Sequence, residues 1–398
     1  MANNNKHTGP NVPALRFPEF SGEWIESKLG DIADFSKGAG ISKDQRSEKG
    51  NPCILYGELY TRYKSEVITN VFSKTALPDS NLVKSKANDI IIPASGETAE
   101  DIATARCVPF DNILLGGDLN IIRLHEQDGK FFSYQLNGVR KYDIATVAQG
   151  VSVVHLHAGD LKGITVKYPS HIAEQEKISQ ILGLIDDRIA TQSKIIEELT
   201  TLRSALLEKV FQVSNPTLEV GAIAHQTSER NKLCRYSNVL SVSNRFGFIN
   251  QSEQFEDRNV ASDDVRNYKV VHRGDFAYNP ARINVGSIAM LKSFESGIVS
   301  PMYICFQVDD TIVDPSFFEL FLETKAFKDE MEIRLEGSVR RCLSFEALCE
   351  IHMPRPALLV QRSISDKIGN ISSKIKLEDR ILRAYIRQKE WLLKQMFI

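Results

Sequence analysis

The side chains that most often carry chemistry are thinly spread in this sequence, and the spacings that would join them into a reaction centre are missing. A phosphate cradle needs GxxxxGK[ST], a zinc peptidase HExxH, and a serine nucleophile GxSxG. An amino-methyltransferase needs an Asn/Asp-Pro-Pro-aromatic run to hold a flipped base. None of these occurs. Tyr278-Asn279-Pro280-Ala281 is the nearest approach, and Ala281 supplies neither the second proline nor the aromatic. Pro78-Asp79 with scattered lysines is a poor nuclease pattern, and no metal-binding carboxylate cluster is visible. His155 and His157 alternate as on a strand and read as surface or packing residues. Six cysteines (Cys53, Cys107, Cys234, Cys305, Cys342, Cys349) form no CxxC pair and have no partnered histidines. They read as reduced thiols, with neither a zinc site nor a disulfide framework.

With enzymatic signatures absent, composition bounds what remains. A chain of 398 residues with 42% hydrophobic content has room for two domains and a linking element. It has no run of eighteen apolar residues, and its start, MANNNKHTGPNVPALRFPEF, lacks the cationic-then-apolar pattern of a signal peptide, so the expected location is cytoplasmic. The formal net charge is -2. Only residues 358–398 are clearly basic, with nine Lys and Arg against four Asp and Glu. A protein gripping DNA unaided would carry a larger basic surplus, so any nucleic-acid role relies on local patches or partner subunits.

The element that must position everything else is a long helix that occurs twice. Between Ser170 and Phe211 there is no proline, and Leu182, Ile185, Ile189, Ile196, Leu199, Leu206 and Val210 follow heptad steps. Shifted by 186 residues, the seam returns as Ile368, Ile371, Ile375, Leu382, Tyr385, Leu392 and Met396. The interruptions coincide too: Gln192 with Glu378, Arg203 with Lys389, Gly183 with Gly369. Two like halves, each a globular piece followed by a long helix, make a pseudo-dimer.

The globular pieces carry short apolar runs such as Asp89–Pro93 and Leu119–Leu124, punctuated by Gly, Asn, Asp and Ser. Their counterparts are Asp275–Pro280 and Pro301–Val308. Near the end of each piece the repeat is regular: Gly150 matches Gly337, Leu156 matches Leu343, and Pro169 matches Pro356. The expected fold class is α+β, with two β-rich domains in pseudo-two-fold arrangement separated by a long antiparallel two-helix coiled coil. The expected boundaries are 1–169 and 213–357 for the domains, and 170–212 and 358–398 for the helices.

The LRFPEF…W opening (Phe17, Phe20, Trp24), the Leu29-Gly30-Asp31-Ile32 start, the Pro-then-Gln entry to each helix (Pro169 with Gln175, Pro356 with Gln361) and the LLxxxF closings complete the pattern. Over essentially its whole length the sequence resembles the specificity subunit of type I restriction-modification systems. The resemblance implies two target recognition domains, each reading half of a split double-stranded DNA site. The helices would act as spacer and as docking surface for two methyltransferase subunits, with motor-nuclease subunits joining them. It implies a non-catalytic chain, S-adenosylmethionine, ATP and Mg being held by the partners.

Base-contacting residues do not carry over from the family, because they vary with the target, so they are chosen by chemistry: loop donors and acceptors able to reach base edges. In the first domain these are Tyr56, Tyr60, Arg62, Tyr63, Lys64, Ser95, Thr98, Gln149 and Ser152. In the second they are Ser243, Asn244, Arg245, Arg282, Asn284, Arg340 and Arg341. For each, the plain alternative is a solvated loop residue. Candidate partner-docking residues are the aromatic clasp Phe17, Phe20 and Trp24 and the polar seam positions Gln192, Arg203, Glu378 and Lys389. A coiled-coil protein–protein scaffold without DNA specificity is the competing reading, and a self-sufficient nuclease is the weakest.

Overall fold

Asp89–Pro93 (DIIIP) and Leu119–Leu124 (LNIIRL) are runs of buried, largely β-branched residues, the composition of strands in the middle of a sheet. In the computed structural model, which describes residues 11–78, 80, 82–150, 153–212, 216–244, 246–251, 264–337 and 341–398, they are neighbours. The antiparallel sheet order is Ala33–Lys37, Leu119–Leu124, Asp89–Pro93, Arg106–Val108. Helix Gly129–Asn137 covers this sheet with the fully buried Phe131, Phe132, Tyr134 and Leu136. A second sheet runs Arg46–Ser47, Ser73–Thr75, Asn51–Ile54, Leu114–Leu115, its last pair parallel. Ile25–Lys28 pairs with Thr165–Tyr168 as a separate ribbon that brings the two ends of the piece together.

The chain divides into two compact units, Met1–Lys194 with Asp379–Ile398, and Ile195–Glu378. The second unit repeats the frame of the first. Its central sheet runs Ala224–Thr227, Ile304–Val308, Phe276–Tyr278, Ile288–Met290, and its ribbon is Thr217–Glu219 with His352–Pro354. Its other sheet runs Gly247–Asn250, Val239–Ser243, Ser296–Val299, Lys269–His272, again with one parallel pair. Three of those strands match three in the first unit, but the fourth is added at the opposite edge. The frames are alike and the outlying sheets differ.

Two long helices, Ile172–Gln212 and Leu358–Met396, each run from one unit into the other. The first starts two residues later, and the second stops two residues earlier, than the sequence pattern suggests, and the compact units cut across both helices. Within the first unit, Asp186 meets Lys389 and Arg188 lies over Tyr385. Within the second, Arg203 bonds Ser372, while Leu207, Phe211 and Ile368 join one core. In each unit the helical segments are antiparallel, as expected from the order of pieces and helices along the chain. No helix among the described residues is long and apolar enough to cross a membrane.

The Pro-then-Gln pattern has a geometric reason. Asp128 caps helix Gly129–Asn137, its backbone N–H donates to Gln175 Oε1 (3.0 Å), Gln175 Nε2 donates to the Pro169 carbonyl (3.0 Å), and Ser179 Oγ donates to Asp128 (2.6 Å). One repeat later, Asp314 caps Pro315–Glu323, its N–H donates to Gln361 (2.9 Å), Gln361 donates to Pro356 (2.8 Å), and Ser365 donates to Asp314 (2.9 Å). Both glutamines are buried, and each fastens a long helix to its own domain.

The residues marked for partner docking are largely taken up by this chain. Trp24 is core: it packs edge-on against Phe131 and Phe397, and its indole N–H reaches Glu174 (3.4 Å), which Arg16 also binds (2.8 Å). Phe17 and Phe20 are half-buried beside it, Lys177 lying over the Phe17 ring. The clasp therefore closes its own domain. Gln192 and Glu378 are buried, Glu378 pairing with Lys374. Arg203 is held by Ser372 (2.7 Å) and Glu323 (2.8 Å). Lys389 sits between Glu66 (2.5 Å) and Asp186 (2.6 Å), and Asp186 also accepts the Tyr134 hydroxyl (2.7 Å). A charge on the seam of a helix pair must be matched before it is buried, and these are matched internally.

Candidate functional site

Each unit carries the same hairpin. Gln149 and His155 exchange backbone hydrogen bonds (2.8 and 2.7 Å), and one repeat later Glu336 and Cys342 do the same (3.0 and 2.8 Å). A glycine follows the first residue of each bridge with positive φ, +124° at Gly150 and +109° at Gly337. A side chain at Gly150 would also run into the Val153 carbonyl. Each hairpin is tied to a second loop: Leu156 N–H donates to the Ala94 carbonyl (3.0 Å), and Leu343 N–H to the Pro280 carbonyl (3.2 Å). Thus two of the candidate-bearing stretches in each half, the one near Ser95 with the one at Gln149 and the one near Arg282 with the one at Arg341, are neighbours in space.

In the first unit, Ser95–Gly96 pairs with Val154–His155, and Thr98 caps the short helix Ala99–Ile102. Thr98 and Gln149 are exposed, but Ser95 is buried by the strand pairing. Tyr56 and Tyr60 come to the same region. Burial raises the Tyr60 phenol above its ordinary pKa, and Tyr56, Glu97 and Asp101 nearby add to the rise. The helical turn Glu58–Thr61 decides which neighbours face out. Leu59 and Tyr63, four apart, point inward, and burial pushes the Tyr63 phenol up to about 12. Tyr63 is therefore packing, whereas Arg62 and Lys64 are exposed. Ser152 lies outside the described residues.

In the second unit, Arg282 opens the turn Ile283–Val285, which ends at Gly286 with φ +89°. Its guanidinium makes no hydrogen bond or ion pair among the described residues, and it is exposed together with Asn284. A Cβ at Gly286 would lie 3.4 Å from that of Asn244, and Ser287 Oγ donates to the Val242 carbonyl (2.9 Å), so the Arg282 turn stands against Ser243–Asn244. Asn244 is exposed and Ser243 is half-buried. Arg341 is exposed but is held by the Glu332 side chain and carbonyl. Arg245 and Arg340 lie outside the described residues.

Sequence reasoning missed the support beneath these loops. Glu58, Arg46 and Phe72 surround Arg62, and the i, i+4 spacing of Glu58 and Arg62 was the signal available. Among the described residues no group of three or more His, Cys, Asp or Glu gathers as metal ligands would. His155 and His157 are exposed and stacked, ring centroids 6.4 Å apart.

Fold and loops together define an internally duplicated protein, one α+β frame used twice with different polar loops on each copy. Residues 21–201 match the family model described as type I restriction modification DNA specificity domain. The specificity subunit of type I restriction enzyme MjaVIII from Methanocaldococcus jannaschii is 22% identical over 401 residues, covering 92% of this chain and 89% of that one. The type I restriction-modification S subunit from M. genitalium has the same fold, with TM-score 0.64 and 18% identity over 97% of this chain and 99% of that one. A chain from a structure describing complex assembly and conformational transition of the type I R-M system aligns with TM-score 0.53 and 13% identity, over 94% of this chain and 97% of that one. In sequence over residues 21–201, and in fold over nearly its whole length, the chain is thus similar to type I restriction-modification specificity subunits.

Proposed function

We propose that this chain is the sequence-reading subunit of a type I restriction-modification complex, in which each globular piece recognises one half of a bipartite double-stranded DNA target. The two long helices set the unread spacer and dock two methyltransferase subunits, and motor-nuclease subunits complete the assembly in the cytoplasm. S-adenosylmethionine, ATP and Mg belong to those partners, and this chain contributes recognition and geometry. The observation that carries the reading is the repeated hairpin and loop, held by the same backbone bonds in both units yet differing in side chains. One frame with two different polar surfaces suits two different half-sites, whereas a scaffold gripping two copies of one partner has no need for the difference. Co-expression with its methyltransferase and mapping of methylated adenines tests it. Methylation confined to a two-part sequence with a fixed gap is expected, and methylation that ignores sequence would overturn the reading.

Arg282 offers a side-chain test of the second unit. Its forked donor, without a partner among the described residues, suits a guanine edge. Arg282→Ala should relax one position of one half-site by roughly 5- to 150-fold, read from the same methylation map. Unchanged selectivity would return Arg282 to the solvated loop.

A further inference from the structure

We infer that Glu58 is a positioning residue that fixes the Arg62 guanidinium as a guanine-reading fork in the half-site read by the first unit. The inference rests on the function proposed above and adds to it a residue that never touches DNA.

The geometry is unusual for a surface arginine. Glu58 is only 5% exposed. Its Oε2 accepts the Leu55 N–H (3.2 Å), and its Oε1 accepts the Ser73 hydroxyl and Arg62 Nη1 (3.2 Å). Arg62 Nη1 also lies 3.4 Å from Ser73 Oγ, and Cζ stands 4.9 Å from the centroid of the Phe72 ring. One nitrogen is thus tethered and one face is covered. The opposite edge, Nε with Nη2, has no partner among the described residues, and the side chain is 44% exposed. Two parallel N–H donors on a fixed edge are what the O6 and N7 acceptors of guanine require.

Stability alone does not account for the arrangement. A buried carboxylate is costly, and an apolar side chain of similar size commonly serves a core as well or better. Phe72 is 52% exposed, so much of its ring gives nothing to the interior and serves as a platform for the cation. Arg46 Nη1 approaches the same carboxylate at 4.0 Å. Two guanidinium groups around one carboxylate leave one net positive charge at this corner, although the whole chain is slightly acidic. A free arginine must give up most of its rotamers on binding; here that ordering is completed in the fold before DNA arrives.

The test uses the full chain assembled with its methyltransferase, on a library randomised across the target, with thermal unfolding measured on each variant. Arg62→Lys keeps the charge and removes the fork. Glu58→Gln keeps an acceptor and weakens the tether, and Phe72→Leu removes the platform from the other side. All three should relax the same single guanine position by roughly 5- to 150-fold and leave the other half-site unchanged. Selectivity unchanged in Arg62→Lys would overturn the proposal. So would an equal loss on every sequence with a shallower salt dependence, which marks a phosphate contact. If Arg62→Lys relaxes the position but folded Glu58→Gln and Phe72→Leu do not, Glu58 has no positioning role. A wild-type complex without any two-part pattern would instead defeat the function on which this inference rests.

Discussion

Replacing residues 213–357 with the matching piece of a relative is expected to change one half of the methylated target completely and to leave the other half as it was. The reason lies in how each globular piece is attached. Phe276, Tyr278, Phe306, Phe317, Phe318 and Phe321 form a core within the second unit, and the first unit has its own around Phe131, Phe132 and Tyr134. What the incoming piece must match is small: an aspartate where Asp314 meets Gln361 and Ser365, a carboxylate where Glu323 meets Arg203, and apolar surface to receive Leu207, Phe211 and Ile368. A donor lacking that aspartate should fold less stably by about 1–3 kcal/mol, the usual penalty for buried polar groups left unpaired. Sequencing of methylated adenines reads the outcome. A change in both half-sites would show that specificity is not divided between the two pieces.

Lys389→Ala is expected to be the most damaging single substitution on the helices. Burial alone would lower the Lys389 ammonium pKa, yet Glu66 and Asp186 hold it above its ordinary value. Burial pushes Glu66 up, against the pull of Lys389. Removing the cation leaves two carboxylates facing each other in an interior site, and breaking such a buried pair costs about 3–5 kcal/mol. Arg203 is the repeat-equivalent cation, but its partner Glu323 has a side chain 44% exposed. Arg203→Ala should therefore cost only about 1 kcal/mol. Urea unfolding followed by the near-ultraviolet aromatic signal compares them, Trp24 reporting on the Lys389 unit and Tyr278 on the Arg203 unit. Adding Glu66→Gln to Lys389→Ala should recover part of the loss. Equal, small effects from both alanine variants would mean that the Lys389 cluster is not matched as tightly as its distances indicate.

Much of the frame was legible because it is local or repeated. The heptad seam, Pro169 with Gln175, and Gly150 with Gly337 each mark a feature that recurs at a fixed offset, and each has a backbone or capping reason in the structure. What stayed hidden depends on pairing between distant residues. Lys389 reads as a break in an apolar stripe until Glu66, 323 residues away, is seen beside it. Trp24 reads as part of a partner-docking clasp until it meets Phe397. The candidate loops were found by residue type, which does not show side-chain direction: Tyr63 falls inward with Leu59, and Ser95 is covered by its strand. The carboxylate behind Arg62 escaped for the same reason, since a charged residue in a polar loop gives no sign of burial.

The division of the chain into its two compact units also bears on synthesis. Ile195–Glu378 is one continuous stretch, whereas the other unit needs Asp379–Ile398. Leu392, Met396 and Phe397 lie in that unit's core, and the carbonyls of Gln395 and Ile398 accept hydrogen bonds from Leu15 (2.9 Å) and Arg140 (2.9 Å). Translation at roughly 5–20 residues per second therefore leaves the first-made piece waiting on the order of 10–40 s for the residues that seal it. The later-made piece is complete once Glu378 has been added, before the residues that seal the first exist. Throughout that interval Trp24 and Phe131 lack the Phe397 ring that packs on both, and the order of completion is the reverse of the order of synthesis.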